Sequence, residues 1–197
     1  MPKVMLIAGM AKSIPDFDGD LIGVDRGAYL CYKSGKKMRL AIGDFDSISE
    51  DQLQAIAQTC ELIQLPAHKN ETDSEMAIRK AMELNYDEII LYGGLGGRLD
   101  HELVNLRMML YHYPIQLMNE NNRCSYIKEG IYHIKKEYKY LSFIPMEDSV
   151  ISECGVAYPL SKQNIRLDDL YTTSNEILEE AEITVHSGSF IMIECND

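Results

Sequence analysis

The chain has 197 residues and a formal net charge of -12 at pH 7. This acidic balance argues against a protein that wraps nucleic acid, because polyanion binding depends on Lys and Arg that neutralise phosphates. No stretch approaches the roughly 20 apolar residues that a membrane span requires, and the five cysteines are too widely spaced to suggest a disulfide framework or a zinc site. We therefore expect a cytoplasmic protein without a membrane or nucleic-acid partner.

The first part of the chain, residues 1–120, alternates strand and helix patterns. Six apolar runs predict strands at Val4–Ala8, Leu21–Val24, Leu40–Ile42, Leu62–Leu65, Ile89–Tyr92 and Ile115–Met118. Three segments between them predict helices at Glu50–Gln58, Asp73–Leu84 and Asp100–Tyr111. Capping-box spacing at Ser49 and at Thr72 marks the first two helix starts. The alternation predicts a three-layer α/β domain in which helices cover a parallel sheet.

The third predicted helix has an apolar face formed by Leu103, Leu106, Leu110 and neighbouring methionines. Leucines three and four positions apart lie on the same side of a helix. We therefore expect these leucines and methionines to form the apolar face of the helix.

The second part, residues 121–197, consists of short β-prone segments separated by Gly and Pro. The predicted strands are Cys124–Lys128, Tyr138–Ile144, Val150–Val156, Ile183–His186 and Phe190–Glu194. Frequent turns without a convincing helix are typical of a small all-β sandwich or barrel. The polar run at residues 119–123 separates this part from the first.

Acidic residues follow the predicted strands of the first part. Asp25, Asp44 and Asp46 come directly after two of them, and Asp73 begins a helix. Ligands in open α/β sheets bind outside the carboxyl ends of the strands, and a few carboxylates with substrate phosphates suit Mg²⁺. The alternative is structural, since Asp is a common helix cap and turn former.

A glycine-rich segment, residues 93–97, follows the strand that ends at Tyr92 and is itself followed by Arg98, Asp100 and His101. It is neither a Walker A sequence nor a dinucleotide fingerprint, although its place between strand and helix suits a phosphate-binding loop. The chain has no Gly-x-Ser-x-Gly elbow and no recognisable cysteine nucleophile. Metal-assisted phosphoryl transfer, by positioning and charge neutralisation, fits this pattern better than covalent catalysis.

In this order, the motifs resemble those of the bacterial-type thiamine pyrophosphokinases. The motifs are Asp25-Arg26-Gly27-Ala28, Gly43-Asp44-Phe45-Asp46-Ser47, Lys69-x-x-Thr72-Asp73-x-Glu75, Gly93-Gly94-Leu95-Gly96-Gly97-Arg98-Leu99-Asp100-His101, Tyr158-Pro159-Leu160 and Thr173-Ser174-Asn175-Glu176. The resemblance implies an α/β ATP- and Mg²⁺-binding catalytic domain over residues 1–120. It also implies a thiamine-binding and dimerisation β-sandwich over residues 121–197, and a homodimer with thiamine sites at the subunit interface.

The resemblance further implies transfer of the diphosphoryl group of ATP to the hydroxyl of thiamine, giving thiamine diphosphate and AMP. The implied catalytic and Mg²⁺-binding residues are Asp44, Asp46 and Asp73. The implied ATP-site residues are Asp25, Lys69, Thr72, Arg98, Asp100 and His101. The implied thiamine contacts are Ser174, Asn175 and Tyr158, whose ring would face the cationic thiazolium.

The sequence leaves three alternatives open. The acceptor could be another small alcohol, such as a hydroxymethyl pterin, because the ATP-binding part would have the same pattern. The chain could also be a non-catalytic sensor that binds Mg-ATP without turnover. In the third alternative the acids are only caps and the second part only mediates dimerisation.

Overall fold

The computed structural model describes residues 1–66 and 68–197. The chain divides into two compact units, Met1–Glu120 and Asn121–Asp197, and each has its own hydrophobic core. Among the described residues, no helix is both long and apolar enough to cross a membrane.

The first unit is built on six parallel strands in the order β6-β5-β1-β2-β3-β4. The strands are β1 (Lys3–Ile7), β2 (Asp20–Val24), β3 (Leu40–Gly43), β4 (Glu61–Gln64), β5 (Glu88–Tyr92) and β6 (Ile115–Met118). The helices are α1 (Arg26–Lys33), α2 (Glu50–Ala57), α3 (Asp73–Glu83) and α4 (Leu99–Tyr111). The predicted α/β architecture is confirmed, and the strand bounds differ from the predicted ones by at most one residue.

Helix α1 was absent from the sequence-based prediction. It is eight residues long and follows Asp25, a preferred N-cap residue type whose side chain nevertheless makes no capping hydrogen bond. Gly27 in its first turn lies against β1, and a Cβ there would come 1.8 Å from the carbonyl oxygen of Ile7. A glycine that normally argues against a helix is here needed for close packing of α1 on the sheet.

The buried face of α4 contains the predicted methionines but not Leu103. Leu103 is 53% exposed, and the buried residues are Asn105, Met108 and Met109. The Asn105 side chain donates a 2.7 Å hydrogen bond to the carbonyl oxygen of Gly94. This bond holds a polar residue on the inner face, whereas Leu106 and Leu110 are only half-buried.

The second unit contains five antiparallel strands and no helix among its described residues. They are β7 (Asn122–Lys135), β8 (Tyr140–Pro145), β9 (Ser149–Val156), β10 (Leu160–Ile165) and β11 (Asn175–Cys195). β11 pairs with β7 along most of its length, mainly with β9 in its first half, and mainly with β8 in its second half. The predicted β-rich second part is confirmed, whereas β10 was not predicted because its sequence is almost entirely polar and exposed.

The two predicted strands at Ile183–His186 and Phe190–Glu194 are a single bulged strand. Inward positions are odd-numbered up to Val185 and even-numbered from Phe190 onward. The register shifts between Val185 and Ser189, where Gly188 has a φ of 83°. Across this shift β11 advances four positions, from Val185 to Ser189, while β7 advances two, from Gly130 to Lys128. This bulge accompanies the reversal of the side chains that face the core, and the reversal looks like a strand boundary in the sequence.

We expect Gly188→Ala to lower the free energy of unfolding by about 2 kcal/mol or more, because the alanine adds both backbone strain and a clash. Its Cβ would lie 2.1 Å from the Ser149 hydroxyl oxygen. Gly35→Ala is the control, since Gly35 has a φ of 65° but no atom within 4 Å of an added Cβ. The Gly35→Ala variant should lose only about 1 kcal/mol of unfolding free energy, because it adds backbone strain without a clash. Urea denaturation measures the free energy of unfolding of both variants. Equal losses would contradict a clash between the added Cβ and Ser149.

Candidate functional site

Three carboxylates meet at the carboxyl end of the parallel sheet. Asp25 follows β2, Asp44 follows β3 and Asp73 begins α3. One oxygen from each lies within 4.8 Å of the others, and we call these three residues the acidic cluster. Neighbouring parallel strands end at the same edge of a sheet, which is where α/β proteins bind ligands.

The backbone around Asp25 is shaped to hold its carboxylate in the cluster. Asp25 has a φ of 47°, and its Oδ1 accepts a 3.3 Å hydrogen bond from the Phe45 N–H. A Cβ on Gly43 would lie only 1.9 Å from the same oxygen. Gly43 therefore leaves the space that the Asp25 carboxylate occupies between β2 and β3.

Lys69 is the cation nearest to the acidic cluster among the described ion pairs. Its Nζ lies 2.8 Å from Oδ1 of Asp73 and 3.9 Å from Oδ2 of Asp44, and its side chain is 9% exposed. Burial lowers the pKa of Lys69, but hydrogen bonding to Asp73 and the charges of the cluster raise it above its ordinary value overall. One lysine faces three acids, so negative charge is left uncompensated when all three are ionised.

The pKa of Asp25 reflects its burial first and this excess of negative charge second. Burial raises it to about 6, the charge of Asp73 adds to the increase, and the hydrogen bond from Phe45 opposes it. Oδ1 of Asp73 is buried and lies 2.8 Å from the Lys69 ammonium nitrogen. A set of closely spaced carboxylate oxygens that one lysine neutralises only in part fits a hard divalent cation such as Mg²⁺.

Asp46 lies apart from this cluster. It is exposed, and its N–H donates a 3.1 Å hydrogen bond to Oδ1 of Asp44. It lines a neighbouring cavity together with Asp25. The structure thus brings Asp44 and Asp73 together with Asp25, and the assignment of Asp46 as a metal ligand stays a prediction.

A cavity of about 330 Å³ lies beside Asp25 and is bordered by the glycine-rich segment, Arg98 and His101. Two residues of α4 hold this segment in place. Asn105 bonds the carbonyl oxygen of Gly94, and the Glu102 carboxylate accepts a 2.6 Å hydrogen bond from the Gly97 N–H. The sequence analysis missed both residues, although a polar side chain at an inward helical position is a signal for Asn105.

Arg98, Asp100 and His101 form a connected group at the start of α4. The Arg98 guanidinium donates two hydrogen bonds to Asp100, at 3.1 and 2.6 Å, and these lower the pKa of the Asp100 carboxyl. The His101 N–H also donates to Asp100. Thr72 caps α3 by accepting a hydrogen bond from the Glu75 N–H, and it borders a small cavity with Asp100 and His101.

A second cavity, of about 340 Å³, lies within the second unit and is bordered by the predicted residues Tyr158, Ser174 and Asn175. We call it the β-unit cavity. Asn175 binds the backbone of Tyr158 at the edge of this cavity. The Asn175 side-chain oxygen accepts a hydrogen bond from the Tyr158 N–H, and the Asn175 NH₂ group donates one to the Tyr158 carbonyl oxygen. Ser174 has a φ of 58° and donates its N–H to the Ser142 hydroxyl.

Glu153 of β9 also borders the β-unit cavity and was missed by the sequence analysis. It is 2% exposed, and burial raises its pKa to about 7, while a 2.9 Å hydrogen bond from Asn175 opposes the increase. Glu153 shares the inward face of β9 with Ile151. The sequence signal for Glu153 was its position two residues after Ile151, which places a charged side chain on the same face of a strand as a core residue.

Comparisons with known proteins match both units. Residues 19–119 match the family model "Thiamin pyrophosphokinase, catalytic domain", and residues 130–191 match "Thiamin pyrophosphokinase, vitamin B1 binding domain". The thiamine pyrophosphokinase of Bacillus subtilis is 31% identical over the full length of both chains.

Solved structures agree with these sequence matches. The crystal structure of the Bacillus subtilis thiamine pyrophosphokinase superposes with a TM-score of 0.88 at 30% identity, covering 99% of each chain. A thiamin pyrophosphokinase family protein from Enterococcus faecalis superposes with a TM-score of 0.86 at 27% identity, also over 99% of each chain. Because the catalytic-domain model alone matches half of the chain and a full-length relative exceeds 30% identity, the chain belongs to the thiamin pyrophosphokinase family.

Proposed function

We propose that this chain transfers the diphosphoryl group of ATP to the hydroxyl of thiamine, giving thiamine diphosphate and AMP. The observation that carries the proposal is the acidic cluster with Lys69, set at the carboxyl ends of parallel strands beside the glycine-bordered cavity. In the reaction, the thiamine hydroxyl oxygen bonds the β-phosphorus of ATP. The bond from that phosphorus to the bridging α–β oxygen breaks, AMP leaves with this oxygen, and the hydroxyl proton is released.

We infer that Asp25, Asp44 and Asp73 hold Mg²⁺, with Asp46 nearby. When bound, Mg²⁺ would supply positive charge that neutralises the phosphate oxygens. Lys69 would contribute a fixed positive charge at the same edge. Support for this assignment comes from the closeness of the three carboxylates and from the negative charge that Lys69 leaves uncompensated.

The remaining ATP contacts are proposed at the glycine-rich segment and at the start of α4. Asn105 and Glu102 position this segment by bonding Gly94 and Gly97. Asp100 orients Arg98 through two hydrogen bonds, and a guanidinium has five N–H donors, so others are left for phosphate oxygens. Thr72 and His101 complete the proposed ATP site.

Thiamine is assigned to the β-unit cavity. Tyr158 is 76% exposed beside Ser174 and Asn175, so its ring is free to pack on a cationic thiazolium. We further propose that the protein is a cytoplasmic homodimer with its thiamine sites at the subunit interface.

The direct test incubates the purified protein with ATP, MgCl₂ and thiamine, and follows the products by chromatography. We expect AMP and thiamine diphosphate in equal amounts, with neither formed in EDTA and no AMP formed without thiamine. ADP with thiamine monophosphate would contradict diphosphoryl transfer. Absence of any thiamine product from folded protein would favour a pterin acceptor, or a sensor that binds Mg-ATP without turnover.

Asp44→Asn tests the metal assignment while keeping the side-chain oxygen that bonds the Asp46 N–H. We expect turnover to fall at least about 100-fold, because a lost ligand weakens metal-dependent charge stabilisation. Mg²⁺ alone should raise the melting temperature of the wild type and have a much smaller effect on the variant. Asp87→Asn, at an exposed position, is the control with the same change in charge. Equal Mg²⁺-induced shifts in wild type and Asp44→Asn would refute the assignment.

The oligomeric state is tested by sedimentation velocity at the protein concentration used for the activity assay. We expect a species of twice the 22.4 kDa chain mass. A monomer that forms thiamine diphosphate at the full rate would contradict a thiamine site at a subunit interface.

A further inference from the structure

The β-unit cavity contains a buried carboxyl group without a matching positive charge. Glu153 is 2% exposed, and no lysine, arginine or histidine is among the described residues that border the cavity. Its polar contact there is the hydrogen bond from Asn175. Burying an acid in this way is costly unless it is paired or protonated, so the position is better suited to recognition than to packing.

The orientation of Asn175 determines what Glu153 can offer to a ligand. The Tyr158 N–H can only donate, so the Asn175 atom that accepts from it must be the amide oxygen. The NH₂ group therefore faces Glu153 and donates to its Oε2. This contact occupies one carboxyl oxygen, and the other is left to act as an acceptor when Glu153 is ionised.

The cavity walls suit a flat ring with polar atoms along one edge. Tyr158 and Tyr171 contribute aromatic surfaces, and Ser174 lies beside them. Thiamine has two rings, and the aminopyrimidine is the one that carries an exocyclic N–H donor. The free oxygen of an ionised Glu153, beside the one bonded by Asn175, matches this donor.

We propose that Glu153 is the residue that selects thiamine by accepting a hydrogen bond from the amino group of its pyrimidine ring, with Asn175 as the positioning residue. This inference rests on the proposed function and extends it to one contact. It predicts discrimination against oxythiamine, in which a carbonyl oxygen replaces this amino group and would face the acceptor.

The test compares kcat/KM for thiamine and for oxythiamine in the same enzyme, measured as AMP release. The ratio of the two values cancels any general loss of activity. For Glu153→Leu, which removes the acceptor, we expect the wild-type preference for thiamine to fall by about tenfold, the contribution of one hydrogen bond. If thiamine and oxythiamine lose activity by the same factor, the contact is not with the amino group and the proposal is overturned.

Glu153→Gln gives a sharper result and keeps the size of the side chain. The Asn175 NH₂ should hold the Gln amide oxygen, so that the new NH₂ group faces the ligand. We therefore expect the preference to move towards oxythiamine, whose carbonyl can accept from this group. Unchanged discrimination in a folded Gln variant would overturn the proposal even if the Leu variant failed to fold.

Two controls separate this inference from the proposed function. Glu176→Gln removes the same charge at an exposed position next to Asn175, and we expect it to keep the wild-type ratio. A change in ratio equal to that of Glu153→Gln would mean that charge alone is responsible, which overturns the proposal. Failure of the wild type to form thiamine diphosphate would instead refute the proposed function.

Discussion

Repulsion among the three carboxylates of the acidic cluster is the constraint on which the first unit depends. Bringing Asp25, Asp44 and Asp73 within 4.8 Å of one another is unfavourable in a partly buried setting, and Lys69 offsets only part of the charge. The arrangement also requires a positive φ at Asp25 and a glycine at position 43. Strained backbone of this kind is typical of functional sites, and a bound cation would relieve the repulsion that the fold itself leaves in place.

The sequence predicted the first unit well because its central strands, such as β1 and β5, are continuous apolar runs buried on both faces. It failed where a tertiary contact decided the outcome. Helix α1 lacks a side-chain cap and is fixed by the approach of Gly27 to β1. The inward side of α4 is fixed by a hydrogen bond from Asn105 to a loop carbonyl. In the second unit, the bulge at Gly188 gave one strand the pattern of two.

Site residues could be predicted as a group more readily than one by one. Strand-end acids identified the edge of the sheet where the cluster forms. Whether Asp44 or Asp46 reaches Asp25 depends on the backbone at Phe45, which has a φ of 59° and a buried side chain. Non-glycine residues rarely adopt this conformation, so local propensity gives no indication of it. Glu153 was missed for a different reason, since its role depends on a contact with Asn175, 22 positions away.

The two cavities differ in the charged residues that border them, and this difference limits what each can bind. The cavity of the first unit is bordered by Arg98 and lies beside the acidic cluster, a combination that suits phosphates accompanied by a metal ion. The β-unit cavity has a buried acid and no basic residue among the described residues that border it. A phosphate there would place uncompensated negative charge beside Glu153. The second unit is therefore suited to the organic rings of the acceptor, and a change of acceptor among related enzymes would require changes mainly in that unit.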